Sequence, residues 1–233
     1  MLRFFLLLIH EPNYTKHLNM NFSSFILCAL ILTLQGCSQY IQDTGTTMKE
    51  AFTGLEDTTV TLEKVRDLPY ASIYARINHG HRLFLVLAFA ETNPVTQSLR
   101  LKWVSSDGAM LVTENGRVVK TLNLPDYNLV EARYPQRPTE KAAAWQAYYD
   151  WQPDYQFDHS VFVRSSLVKF EHLTSLLWQT KAAKVAENLA FSDGSQHQNF
   201  YWLNEQGLVV KSLQWLIPEK LMIEIEILKP YIG

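Results

Sequence analysis

The sequence predicts one all-β domain with minor helix, carried behind an N-terminal segment for secretion and membrane anchoring. Three observations predict it. Asn-Gly and Gln-Gly turns sit between β-rich runs, apolar residues alternate with period two in several runs, and a short hydrophobic segment ends in Gly36-Cys37. The composition, 47% hydrophobic and 19% charged, suits a folded globular chain and not a disordered one.

Residues 2–9 form an apolar patch, which Glu11, Pro12, Asn13 and Lys16 interrupt. The second apolar run, Phe22 to Leu34, has 13 residues. A membrane-spanning helix needs roughly 20, whereas a signal-peptide core needs about 7–15. The segment Leu34-Gln35-Gly36-Cys37 fits a lipoprotein signal. Leu34 supplies the aliphatic position, Gly36 the small residue that enters the signal peptidase, and Cys37 the thiol for diacylglycerol. Gln35 is bulkier and more polar than usual there. The expected product is a bacterial lipoprotein, cut before Cys37, lipidated there and held on the periplasmic face of a membrane. Translation from Met1 makes a leader of 36 residues; translation from Met20, the expected start, makes one of 17.

Cleavage removes Arg3, Lys16 and Glu11 from totals of 21 basic and 23 acidic residues, leaving 19 and 22, a net charge of −3. No polybasic stretch remains to suggest nucleic acid or anionic lipid as the main partner. Cys28 leaves with the signal and Cys37 carries lipid, which excludes a disulfide framework, cysteine catalysis and a thiolate metal site. One acyl chain anchors only marginally; the several on a lipoprotein cysteine hold it stably.

Residues 37–58, rich in Ser, Thr, Gln, Asp and Gly, read as a lipidated N-terminus and tether with a short helix near Thr47–Leu55. Residues 59–233 then form one domain. Ala71–Ile77 alternates around Ile73 and Ala75. Leu83–Ala90 is a continuous apolar run suited to a central strand buried on both faces. Leu99–Ser105 alternates Leu99, Leu101 and Trp103 against Arg100, Lys102 and Val104. Met110–Glu114 and Arg117–Leu122 flank Asn115-Gly116, a pair that tolerates positive φ at both centres of a type I′ hairpin turn. With the turn at Ser106-Asp107-Gly108, residues 99–122 become a three-strand meander. Thr139–Tyr149 reads as a short capped helix. Leu173–Leu189 is rich in helix formers such as Lys181, Ala182 and Ala183, and propensity leaves helix and strand equally open. Phe200–Leu216 forms a hairpin about Gln206-Gly207, and Leu221–Leu228 a half-buried final strand.

Motifs for chemistry are sparse. His79 and His81 flank Gly80 in a turn, yet no HxxxH, HExxH or cysteine partner completes a zinc set, so they read as surface residues. His159, His172 and His197 stand apart. Neither GxSxG nor a glycine-rich phosphate loop occurs, and no cofactor is expected. The enzyme alternative is a glycan hydrolase using two carboxylates from Glu91, Asp107, Asp150, Asp154 and Asp158. Aromatic residues are the stronger signal. Trp145, Tyr148, Tyr149, Trp151, Tyr155 and Phe157 crowd around Pro153, and Tyr201, Trp202 and Trp215 follow near the C-terminal hairpin. Such rings fill cores, or recognise sugars and proteins. Tyr148, Tyr149, Trp151 and Tyr155 are the candidate recognition surface.

Several blocks together resemble the YjbF/GfcB family of outer-membrane lipoproteins. They are residues 67–76, Leu85 to Glu91, Leu101 to Ser105 with Asp107-Gly108-Ala109, and Asn115 to Leu122. Trp151 to Tyr155, Tyr201-Trp202 and Ile227 to Tyr231 follow in family order. The resemblance implies a non-catalytic accessory role in making or secreting capsule or exopolysaccharide. The expected partners are an outer-membrane β-barrel protein, a β-grasp periplasmic protein and the polysaccharide itself. It implies an antiparallel β-sandwich or strongly curved sheet, and turns residues 176–191 toward strand. Lipid attachment carries over to Cys37. Ser38, by analogy with enterobacterial lipoproteins, directs the protein to the outer membrane. Cys37→Ala should therefore leave an unlipidated, uncleaved precursor; labelling of that variant by a palmitate analogue would refute the assignment.

Overall fold

Almost every connection in the chain is a short turn, so strands that follow one another in sequence pair antiparallel. The computed structural model describes residues 57–153 and 156–233. Among the described residues there are one short helix, α1 (Leu62–Asp67), and twelve strands: β1 (Ser72–Ile77), β2 (Leu83–Thr92), β3 (Leu99–Val104), β4 (Met110–Glu114), β5 (Arg117–Leu122), β6 (Asn128–Arg133), β7 (Ala143–Gln152), β8 (Gln156–Thr174), β9 (Gln179–Phe191), β10 (Gln196–Leu203), β11 (Val209–Ile217) and β12 (Leu221–Lys229). All belong to one sheet, in the order β5-β4-β3-β2-β1-β12-β11-β10-β9-β8-β7-β6. First and last strands meet in the middle, Ile73 opposite Ile227 and Ile77 opposite Ile223.

The two edges, β5 and β6, are joined directly by residues 123–127, so the sheet must roll until they lie side by side. Side chains bridge them in place of a ladder. Thr121 Oγ1 accepts the Leu129 N–H at 2.9 Å, and Asn128 Oδ1 accepts the Leu124 N–H at 3.1 Å. The result is a single antiparallel sheet nearly closed into a barrel.

Alternation places Ile73, Leu83, Leu85, Trp103, Leu111, Leu129, Tyr149 and Leu216 inside, all essentially without solvent exposure. A second cluster lies on the outer face, where Val65 of α1 packs with Val60, Leu68, Tyr74, Phe84 and Leu228. Thr61 caps this helix by accepting the Lys64 N–H at 3.2 Å. The Lys229 ammonium, in the last strand, donates to the Arg66 carbonyl at 2.8 Å and to that of Leu68.

The strands expected from alternation are present, with two differences. The helix expected over Thr139–Tyr149 is instead the start of β7. Trp145, Ala147 and Tyr149 turn inward while Gln146 and Tyr148 turn outward, and pairing to both β6 and β8 overrides the helix preference of the alanines. β2 is buried on both faces only as far as α1 covers it. Beyond a bulge between Leu87 and Phe89 its side chains emerge, Phe89 with 62% exposure. Residues 176–191 supply β9, as the family resemblance implied; Ala182 makes room there for Trp202 and Val210. The helix expected near Thr47–Leu55 lies outside the described residues.

Asn115 and Gly116 have φ of 52° and 79°, the pair a type I′ turn requires. Gly116 is doubly constrained, because a Cβ there would lie 2.3 Å from Cβ of Val209. Gly116→Val should cost about 1–3 kcal/mol in backbone strain and about 1–3 more in overpacking. A thermal melt should show the drop, and Val209→Ala in the same chain, which removes the two Cγ contacts but keeps the Cβ at 2.3 Å, should recover only a small part of it.

Candidate functional site

β5 enters the barrel wall at Arg117, whose side chain is almost wholly buried and forms a two-pronged ion pair with Glu187 of β9, both contacts 2.6 Å. The same guanidinium donates to Tyr201 Oη at 3.1 Å and lies over the rings of Tyr134 at 4.5 Å, Tyr201 at 5.0 Å and Trp145 at 5.6 Å. Burial opposes its charge, but Tyr201 and Glu187 outweigh that and raise its pKa, keeping it a cation. Gln214 of β11 completes the network. Its Oε1 accepts the Val118 N–H at 2.9 Å and its Nε2 donates to the Gly116 carbonyl at 3.1 Å. Tyr134 donates to Tyr149 Oη at 2.9 Å. Burial pushes the phenols of Tyr134, Tyr149 and Tyr201 upward, so all three stay protonated.

Above this network the start of β5 and the end of β6 border a cleft of about 910 Å³. Arg100 closes one side, binding Glu114 at 2.8 Å and Glu131 of β6 at 2.6 Å. Arg133 closes another, binding Asp150 at 2.5 Å and Asp158 at 2.6 Å. Burial would raise the Glu114 carboxyl, but hydrogen bonds from Thr96, Asn93 and Arg100 hold it below the usual range. In Asp150, burial is likewise outweighed by bonds from Arg133 and the Asp158 N–H.

The structure disperses the aromatic candidates. Tyr148 is 39% exposed and lines the cleft, directly across from Arg133 in the β6–β7 ladder. Tyr149, one residue on, points the opposite way into the core and belongs to no surface. Trp151 is half-buried and stacks on His159 at 4.1 Å. Tyr201 is part of the Arg117 network, and Trp202 is buried with its indole donating to Glu171. Among the other carboxylates, Glu91 binds Lys102 at 2.8 Å and Asp107 accepts from Ser105. Asp154, Tyr155, Leu34, Gly36 and Cys37 lie outside the described residues. His79 is exposed, 3.5 Å from Glu224, and His81 is 3.9 Å from Asp57. No three His, Cys, Asp or Glu among the described residues converge to hold a metal.

Sequence reasoning missed Arg117, Glu187 and Arg100. The available signal was a charge at an inward position: Glu187 sits between inward Val185 and Leu189, and Arg117 directly follows the hairpin turn.

A family model described as "Group 4 capsule polysaccharide lipoprotein gfcB, YjbF" matches residues 45–228. The chain belongs to this family. The "Uncharacterized lipoprotein GfcB" of Escherichia coli (strain K12) is 30% identical over 222 residues, covering 88% of this chain and 97% of that one. The "Uncharacterized lipoprotein YjbF" of the same organism is 30% identical over 198 residues, covering 82% and 90%. The crystal structure of the hypothetical lipoprotein YmcC from Escherichia coli (K12) shares the fold, with a TM-score of 0.66. It is 24% identical and covers 93% of this chain and all of that one. Family membership supports a role in capsule-related processes. The block Asn115 to Leu122 that carried the resemblance holds both the tight turn and the buried arginine.

Removing one member of the buried pair strands the other charge. Arg117→Ala or Glu187→Ala should lose about 3–5 kcal/mol of stability. The double change Arg117→Met with Glu187→Leu should lose clearly less than the sum, measured by urea unfolding.

Proposed function

We propose that this chain is a lipid-anchored, non-catalytic accessory protein of capsule or exopolysaccharide secretion, held by Cys37 at the periplasmic face of the outer membrane. The observation that carries the reading is the match to the capsule lipoprotein family over residues 45–228. Its working partners are then the other secretion proteins, an outer-membrane β-barrel and a periplasmic β-grasp protein, together with the polymer in transit.

The state of the carboxylates favours this reading over a glycan hydrolase. A hydrolase needs one carboxyl group kept protonated near neutral pH to serve as general acid. Asp150 and Glu114 are both held below the ordinary carboxylate range, and Asp150 and Asp158 share Arg133 as partner. The cleft thus offers fixed hydrogen-bonding groups and an aromatic ring, which suit holding better than cleaving.

Deleting the gene should reduce surface polysaccharide, and the wild-type chain should restore it. Cys37→Ala should not restore it, while Asp150→Asn and Asp158→Asn should. Loss of export in either Asp variant, with the protein folded and at normal level, would transfer the reading to the hydrolase. Density-gradient fractionation should find the protein with outer-membrane markers.

A further inference from the structure

The barrel interior is not filled at the end where β3 begins and β12 finishes. A hollow of about 560 Å³ opens there, walled by Leu99, Leu101, Trp103, Leu208, Val210 and Ile227 among others. Leu99, Leu101 and Trp103 share one face of β3 by period-two geometry. Trp103 is sealed at 1% exposure, whereas Leu99 is 40% exposed. Across the mouth Leu208 is 61% and Tyr231 40% exposed. Apolar side chains gathered round a concavity and left open to water mark a place where something apolar binds.

This hollow adjoins the polar cleft, because Arg137 and Asn115 line both. Arg100, Arg117 and Arg133 each hold carboxylates. Arg137 is exposed and makes no ion pair among the described residues. Among the described residues, a cation without a carboxylate partner thus stands where an apolar chamber gives way to a polar one. On the polar side, Gln146 and Tyr148 offer an amide and an exposed ring. In the floor the buried Arg117 keeps an Nε without a partner.

We propose that the hollow and the cleft form one site for an anionic amphiphile. Its hydrocarbon chain fills the hollow, its anionic group meets Arg137, and its hydroxyl-rich head extends along the cleft toward Tyr148. A lipid-linked saccharide and a membrane phospholipid share this chemistry. The site stands independently of any role in capsule export.

The test uses the full-length protein in neutral detergent and an alkyl phosphate bearing a diazirine in its chain, with crosslinks mapped by mass spectrometry. Labelling is expected at the start of β3 and in residues 204–210. Arg137→Glu, a surface change, should lower it about tenfold, the order of one charge-assisted contact. Leu101→Trp, with folding checked by circular dichroism, should fill the hollow and lower it further. Should that variant not fold, the Arg137 variant decides alone. Competition by undecaprenyl phosphate would identify a carrier lipid as the source, and competition by phosphatidic acid a membrane phospholipid. Labelling spread over exposed apolar residues such as Val168 and Phe170, indifference to Arg137→Glu, or competition by neither lipid would each overturn the proposal. So would equal labelling by an alkyl maltoside carrying the same diazirine.

Discussion

The ion pair between Arg117 and Glu187 holds the rolled sheet shut, because it ties the β5 edge to β9 on the other half of the sheet. Buried pairs of this kind add little net stability, since desolvating both charges offsets most of their attraction. What the pair supplies is uniqueness. Slipping β5 by one residue would carry Arg117 to the opposite face and leave Glu187 buried without a counter-charge. Every cleft residue on β5 is therefore positioned by a contact made across the interior, and the rings of Tyr134, Trp145 and Tyr201 pack against the same guanidinium.

Rolling leaves two strand edges that are adjacent without being zipped together. Unpaired edges invite other chains to add on, and native sheets blunt them. Here the blunting is done by side-chain amides and hydroxyls: Gln214 occupies the Val118 N–H and the Gly116 carbonyl, while Thr121 and Asn128 occupy the connection. The cleft beside these edges is bordered by other paired polar groups, Arg100 with Glu114 and Glu131 among them.

Local stereochemistry was legible in the sequence, and long-range pairing was not. Asn115-Gly116 announces its turn because positive φ at two successive positions is a property of those two residues. β12 announces itself through strict alternation. β7 was hidden by its opening alanines, whose preference for helix is weaker than two flanking ladders but is all that a local reading sees. β6 carried no signal at all; it is a strand because β7 pairs with it. The cleft was half visible. Tyr148 was singled out with its neighbours, yet choosing it over Tyr149 requires the register of β7, and joining Arg117 to Glu187 requires knowing that residues 70 positions apart meet.

The order of the sheet also governs when the chain can become a protein. β1 pairs with β12, Val118 waits for Gln214, and Arg117 waits for Glu187. Pairings so distant in sequence slow folding, since loop entropy is lost before the contact repays it. A chain emerging amino-end first would hold its early hairpins open, with one side of β1 bare, until the final strand arrived. Most of the molecule must thus be present before its core can seal, and a chain truncated within β12 would expose the middle of the sheet and not merely its rim.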